Sequence, residues 1–141
     1  MPRMPGLIRA VPLLIFPALL YALLALTMDD AALRQFLGGI ALAFHLPSGA
    51  EWTVTFGNLI TMLAAGCFFI EIVKSTRPST SAIVENSLAM LLFSFCLGLF
   101  LLAMPFGTME FFLILSMMLL DFMAGAIVMI FVARRDVVWG T

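Results

Sequence analysis

Apolar residues in this chain do not alternate regularly with polar ones. They run in long blocks broken by short polar clusters. Four blocks, 10–28, 52–73, 83–104 and 109–133, approach or exceed the roughly 20 residues that a helix needs to cross about 30 Å of hydrocarbon. Asp29 and Asp30 close the first, Lys74 the second, Pro105 the third, and Arg134 with Arg135 the fourth. Lipid offers no partners to unpaired backbone groups, and four segments cannot close a barrel, so the blocks must be helices. The expected fold is an all-α membrane protein: one domain over 1–141, built as a four-transmembrane-helix bundle.

A further apolar block, 31–46, reaches only about 24 Å at 1.5 Å per residue. Wound as a helix, it puts Leu33, Phe36, Leu37, Ile40 and Phe44 on one face and Arg34, Gly38, Ala41 and His45 on the other. That pattern predicts an amphipathic helix lying in the outer interface, stopped by Pro47 and Gly49. The first block also has a rival reading as a signal peptide, with Arg3 and Arg9 ahead of an apolar core over 11–26. Core length, Pro12 and Pro17 within it, and the lack of a small-x-small site near Thr27 favour a retained span. Pro78 breaks the loop after the second block, and Ser81 suits the N-cap of the third. The tight Pro105-Phe106-Gly107-Thr108 turn makes the last two helices antiparallel neighbours.

Composition supports this picture. The chain is 64% hydrophobic and 11% charged, against roughly 25% charged in soluble domains; a single core of this size could not hide so much apolar surface from water. A soluble fold and disorder are both excluded. A net charge of −1 gives no footprint for nucleic acid. Of the seven Lys and Arg residues, Arg3, Arg9, Lys74, Arg77, Arg134 and Arg135 fall on one side of the four-span arrangement, and only Arg34 falls on the other. The positive-inside rule therefore places both termini and the 74–81 loop in the cytoplasm.

Little in the sequence suggests catalysis. Cys67 and Cys96 differ in expected depth by about 9 Å, beyond the roughly 7 Å limit for a disulfide. The single histidine, His45, has no partner ligands, and the 11 methionines are not spaced with Cys or His as a soft-metal site would need. No Ser-His pair, HExxH, GxSxG or P-loop occurs. We expect no enzyme, no metal and no cofactor.

The polar residues inside the spans carry what functional signal there is. Small residues suited to close helix packing recur at Gly57, Thr61 and Ala65, at Ser87, Ser94 and Gly98, and at Ala18, Ala22 and Ala25. Asp121 falls at the midpoint of the fourth span, with Ala124 and Gly125 next on its face; an ionisable group at that depth is a functional candidate by default. Ser94 and Thr61 lie at similar depth, and a hydrogen bond from Ser94 to Asp121 is expected. The bland reading of Asp121 is an interhelical clamp or subunit contact, and the functional one a proton-accepting or substrate-contacting group. Glu71 and Glu85 lie roughly 12 to 14 Å from their span centres at 1.5 Å per residue. With Lys74, Arg77, Arg134 and Arg135 they predict a cytoplasmic-side belt of ion pairs, and Glu85 also suits the first turn of its helix. Asn58 is a further candidate for a hydrogen bond between helices. Trp52 and Trp139 are placed as anchors at opposite interfaces, and Tyr21, lying deeper, should hydrogen-bond internally.

Several runs carry a resemblance: Trp52-Thr53-Val54-Thr55-Phe56-Gly57-Asn58, Phe69 to Arg77, Ser81 to Leu88, and Leu119 to Gly125, with the Ala133-Arg134-Arg135-Asp136 end. Together they resemble an uncharacterised family of small bacterial inner-membrane proteins with four predicted transmembrane helices. The resemblance implies a fold and a location and supplies no activity. Members carry Asp-His where this chain has Glu85-Asn86, a departure that tells against a proton relay at that pair. Two functions follow as expectations. The first is an accessory or scaffolding subunit, embedded in the lipid bilayer and packed against other membrane subunits or further copies of itself. The alternative is a small oligomeric transporter or proton/ion-conducting protein that uses Asp121.

Overall fold

The computed structural model describes residues 11–75 and 82–139, with the side chains of residues 82, 132 and 135–139 left aside. In order, the elements are helix α1 (Ile15–Thr27), helix α2 (Asp30–Gly38), strand β1 (Ile40–His45), strand β2 (Glu51–Thr55), helix α3 (Phe56–Ser75), helix α4 (Ala82–Leu102), a 3-10 turn (Met104–Phe106) and helix α5 (Met109–Trp139). The chain is mostly helical, as expected. Three stretches are long and apolar enough to cross a membrane: Phe56–Ser75, Ile83–Leu102 and Met109–Phe131. Of the most apolar 18 residues in each stretch, only 22%, 11% and 22% are buried within the chain, so most of their apolar surface faces outward, an arrangement that suits lipid and not water.

The first apolar block differs from the expected 10–28 span. Its helix begins at Ile15, after Pro12, and holds 13 residues, about 20 Å at 1.5 Å per residue. Pro17 fits because the first turn of a helix leaves its N–H groups unpaired in any case. At the other end, the Thr27 hydroxyl donates back to Leu23 O at 2.8 Å. The chain then extends through Met28 and Asp29 before α2 starts.

The expected interfacial helix over 31–46 is replaced by two elements. Only α2, ending at Gly38, is helical, and Leu33 and Leu37 on its face are buried. Gly38-Gly39 ends it: an added Cβ at Gly39 would lie 3.1 Å from Phe36 O and 3.4 Å from the Phe56 ring. The rest of the block forms β1, which pairs antiparallel with β2 through Leu42↔Val54, Ala43↔Thr53, Phe44↔Trp52 and His45↔Glu51, with an irregularity between Ile40 and Leu42. Gly49, at φ +83°, makes the reversal, a conformation that costs glycine little. Cross-strand partners share a face, so Leu42, Val54, Phe44 and Trp52 form an apolar side and His45, Glu51 and Thr53 a polar one. The hairpin is amphipathic, as the helix was expected to be, but it is built from strands. It also takes 52–55 away from the second expected span.

The core runs from the hairpin end of the bundle, at Phe106 and Phe111, to Leu14 at the start of α1. On α5, Phe111, Ile114, Leu115 and Met118 are buried, at the spacing of one helical face. Ile60 and Ala64 of α3 and Ala89 and Cys96 of α4 are the buried apolar positions facing inward on those helices. Tyr21 on α1 is fully buried, with its ring centroid 5.0 Å from that of Phe111 and 5.8 Å from that of Phe106. Its hydroxyl donates to Pro105 O at 3.0 Å and meets Thr108 Oγ1 at 2.5 Å. Thr108 caps α5 by accepting the Phe111 N–H at 3.3 Å. One proton on each hydroxyl satisfies the chain if Thr108 donates to Tyr21 and Tyr21 to the carbonyl.

This network joins α1 to the turn between α4 and α5, and its disruption is measurable. Tyr21→Phe should lower stability by about 1–3 kcal/mol by leaving the buried Thr108 hydroxyl without its partner, and Thr108→Ala by about 1 kcal/mol through loss of the cap. Denaturant unfolding in detergent micelles, followed by circular dichroism, should give a double-variant loss smaller than the sum. Strictly additive losses would mean that the two hydroxyls act independently.

Candidate functional site: a polar cluster at the loop end of the bundle

At the end of the bundle away from the hairpin, each inward face passes from apolar to polar side chains. On α5 the buried stripe of Phe111, Ile114, Leu115 and Met118 continues to Asp121, itself only 7% exposed. On α3, Ile60 and Ala64 lead to Glu71, also 7% exposed. On α4, Cys96 and Ala89 lead to the half-buried Asn86 and Glu85. Helical periodicity thus turns three acids toward one another.

Glu71 makes polar contacts in two directions. Its Oε1 accepts the backbone N–H of Leu13 at 2.6 Å. Leu13 lies just ahead of α1, where N–H groups have no helical acceptor. The same oxygen stands 3.6 Å from Lys74 Nζ, and that ammonium is 3.8 Å from Glu85 Oε2. A single lysine therefore bridges carboxylates on α3 and α4, while one of those carboxylates also holds the start of α1.

Asp121 lies within electrostatic reach of Glu71, Lys74 and Glu85, and no direct hydrogen bond or ion pair to it forms among the described residues. One turn further on, Asn86 occupies the space left by Gly125, where an added Cβ would lie 2.5 Å from its Oδ1. A larger residue at 125 would displace the Asn86 amide from this position.

The closeness of Asp121 to Glu71 follows from the hairpin. Because β2 takes 51–55, α3 runs from Phe56 to Ser75, and Glu71 sits about 8 Å from its midpoint at 1.5 Å per residue, closer than the expected 12 to 14 Å.

The remaining candidates are placed as follows. Ser94 is exposed and its hydroxyl donates to Met90 O at 2.8 Å, so the expected hydrogen bond to Asp121 is absent. Its depth was suitable but its face was not: Cys96 and Ala89 point inward on α4. Thr61 donates to Gly57 O at 3.0 Å. Asn58 does not reach across helices; it accepts from the Thr55 hydroxyl, which in turn accepts the Asn58 N–H at 3.1 Å. Of the expected ionic belt, Glu71, Lys74 and Glu85 come together, and Arg134 is exposed without an ion pair among the described residues. The side chains of Arg77 and Arg135 lie outside the described residues, as do Arg3, Arg9 and the Ser81 cap. Trp52 is half-exposed on the hairpin, and the Trp139 side chain is outside the described set. Two features had no counterpart in the expectations: the Leu13 N–H on Glu71, and Asn86 seated on Gly125.

Chemically, the cluster offers carboxylates, one ammonium and one amide. Among the described residues no group of three or more His, Cys, Asp or Glu side chains could hold a metal. Cys67 and Cys96 are free thiols. Comparison with protein-family models, curated proteins and solved structures finds no match for this chain.

Substitutions at Glu71 separate its two bonds. Glu71→Gln keeps an oxygen for the Leu13 N–H and loses the charge facing Lys74. Glu71→Leu loses both and should cost about 1–3 kcal/mol more, the penalty of a buried donor left unsatisfied. Thermal unfolding in detergent should therefore rank wild type above Gln and Gln well above Leu. Equal loss in both variants would show that the cap contributes nothing.

Proposed function

We propose that the chain is an accessory or scaffolding protein of the bacterial inner membrane. In this reading it packs against a larger membrane complex, carries no catalysis of its own, and has α1 as a fourth crossing with both termini cytoplasmic. The observation that carries the reading is how the polar groups are used. Glu71, Lys74 and Glu85 are engaged in joining α1, α3 and α4. Between Asp121 and the hairpin end, the interior is filled by Met118, Leu115, Ile114, Phe111 and Tyr21. Among the described residues this apolar filling separates Asp121 from the hairpin end, and the broad outward apolar faces offer area for partner helices. Lys74 at the loop end, together with the basic residues flanking the spans, supports a cytoplasmic loop end by the positive-inside rule.

One observation favours the alternative, a small oligomeric transporter or proton-conducting protein. Asp121 is buried and lacks a direct partner among the described residues, an expensive arrangement at membrane depth. Conduction would then run between protomers.

Purification of the full chain from mild detergent distinguishes the two. The accessory reading expects a stoichiometric set of other membrane proteins to co-purify, and Asp121→Asn to leave liposome proton flux at background, like wild type. A homo-oligomer whose proton flux is lost in Asp121→Asn would replace that reading with the alternative.

A further inference from the structure

At the hairpin end, α3 and α5 do not close fully on each other. A cleft of about 360 Å³ opens between them, lined by Asn58, Thr61, Met62, Ala65, Glu110 and Leu113, with Met109 at its edge. Its chemistry is graded along the helices. Asn58 and Glu110 lie in the first turns of α3 and α5, at the level where a bilayer's headgroups meet the ends of spanning helices. Met62, Ala65 and Leu113 lie deeper, Ala65 being about 10 Å beyond Asn58 at 1.5 Å per residue.

The polar end is built to hold charge. Glu110 is half-buried, and its carboxylate lies against α3 because Gly57 has no side chain: a Cβ there would be 2.7 Å from Glu110 Oε1. No ion pair to Glu110 forms among the described residues. The nearby cation, Arg34, is within electrostatic reach but is bound to Asp30 at 3.0 Å. The Asn58 carbonyl oxygen is occupied by the Thr55 hydroxyl, which leaves its amide N–H groups as donors.

A cleft open to hydrocarbon does not stay empty, because condensed matter packs closely around a protein. Lipid is the filler always at hand. We propose that this cleft binds a phospholipid with a primary ammonium headgroup: Glu110 takes the ammonium, Asn58 donates to a phosphate oxygen, and one acyl chain lies along Thr61, Met62, Ala65 and Leu113. The charges select this class. An anionic headgroup would face the Glu110 carboxylate, and a choline headgroup has no N–H to donate to it. The inference requires only that α3 and α5 cross a bilayer, and it goes beyond the accessory reading without depending on it.

Native mass spectrometry of the delipidated full chain tests the site, with phosphatidylethanolamine, phosphatidylcholine and phosphatidylglycerol of matched chains added back. The wild-type chain should retain one phosphatidylethanolamine, preferred on the order of tenfold over phosphatidylcholine, as one charge-assisted hydrogen bond would give, with phosphatidylglycerol weakest. Glu110→Gln, which keeps an acceptor oxygen but loses the charge, should shrink the preference to a few-fold at most, whereas Ala65→Leu, which fills the acyl track, should weaken all three lipids alike. Equal retention of the three lipids by the wild-type chain would overturn the proposal, as would an undiminished preference in Glu110→Gln. A Met62→Cys protein that cross-links into a lipid-free dimer through this face would place a second copy in the cleft, and would overturn it too.

Discussion

The hydrogen bond from the Leu13 N–H to Glu71 is the constraint on which the loop end of the bundle depends. A helix that begins among packed helices, away from water, exposes N–H groups to surroundings that cannot receive them. Here the acceptor is a charged side chain on another helix, and a carboxylate also complements the positive end of the helix dipole. The same oxygen is stabilised by Lys74, which reaches on to Glu85. Three helices are thereby fixed at one level by a single buried acid. Removing one member of such a set is costly because the others are left uncompensated in low dielectric.

The two ends of the molecule use different physics for the same purpose. At the loop end, ionic and backbone hydrogen bonds set the height of α1 against α3. At the hairpin end, the Tyr21 hydroxyl sets α1 against the turn before α5, surrounded by the rings of Phe106 and Phe111. Both ties have a direction, unlike apolar contacts in a bilayer, which let helices slide past one another. Directional polar bonds at two heights are what give a thin bundle with so much outward apolar surface a defined register.

The long helices were legible in the sequence because blocks of apolar residues leave no other solution in lipid. The inward face of Asp121 was legible as well, since Ile114, Met118 and Asp121 fall at helical spacing. The hairpin was hidden because Ile40 and Phe44 satisfy both periods: they are four apart, like neighbours on a helix, and they also alternate with Ala41, Ala43 and His45. Counting alanine as apolar masked the alternation, although Gly38-Gly39, Pro47-Ser48-Gly49 and the strand-forming Trp52-Thr53-Val54-Thr55 were visible as breakers and strand formers. Ser94 failed for another reason: depth along a helix does not set direction around it. The Leu13–Glu71 bond joins residues 58 apart through a backbone group, and no side-chain pattern announces such a contact.

The brevity of α1 has a consequence for the surrounding bilayer. Its 13 residues rise about 20 Å, against about 30 Å for the 20-residue α3, and Phe16, Leu19, Leu23 and Leu26 on its flank face outward. As the fourth crossing proposed above, α1 would make the wall of the protein stepped, and lipids beside it would meet hydrophobic mismatch. They would shorten or splay there, at a fraction of a kcal/mol per Å. A thinned patch has a rim whose cost falls when two such patches merge, so a short crossing would draw neighbours toward itself through membrane elasticity, before any side chain touches.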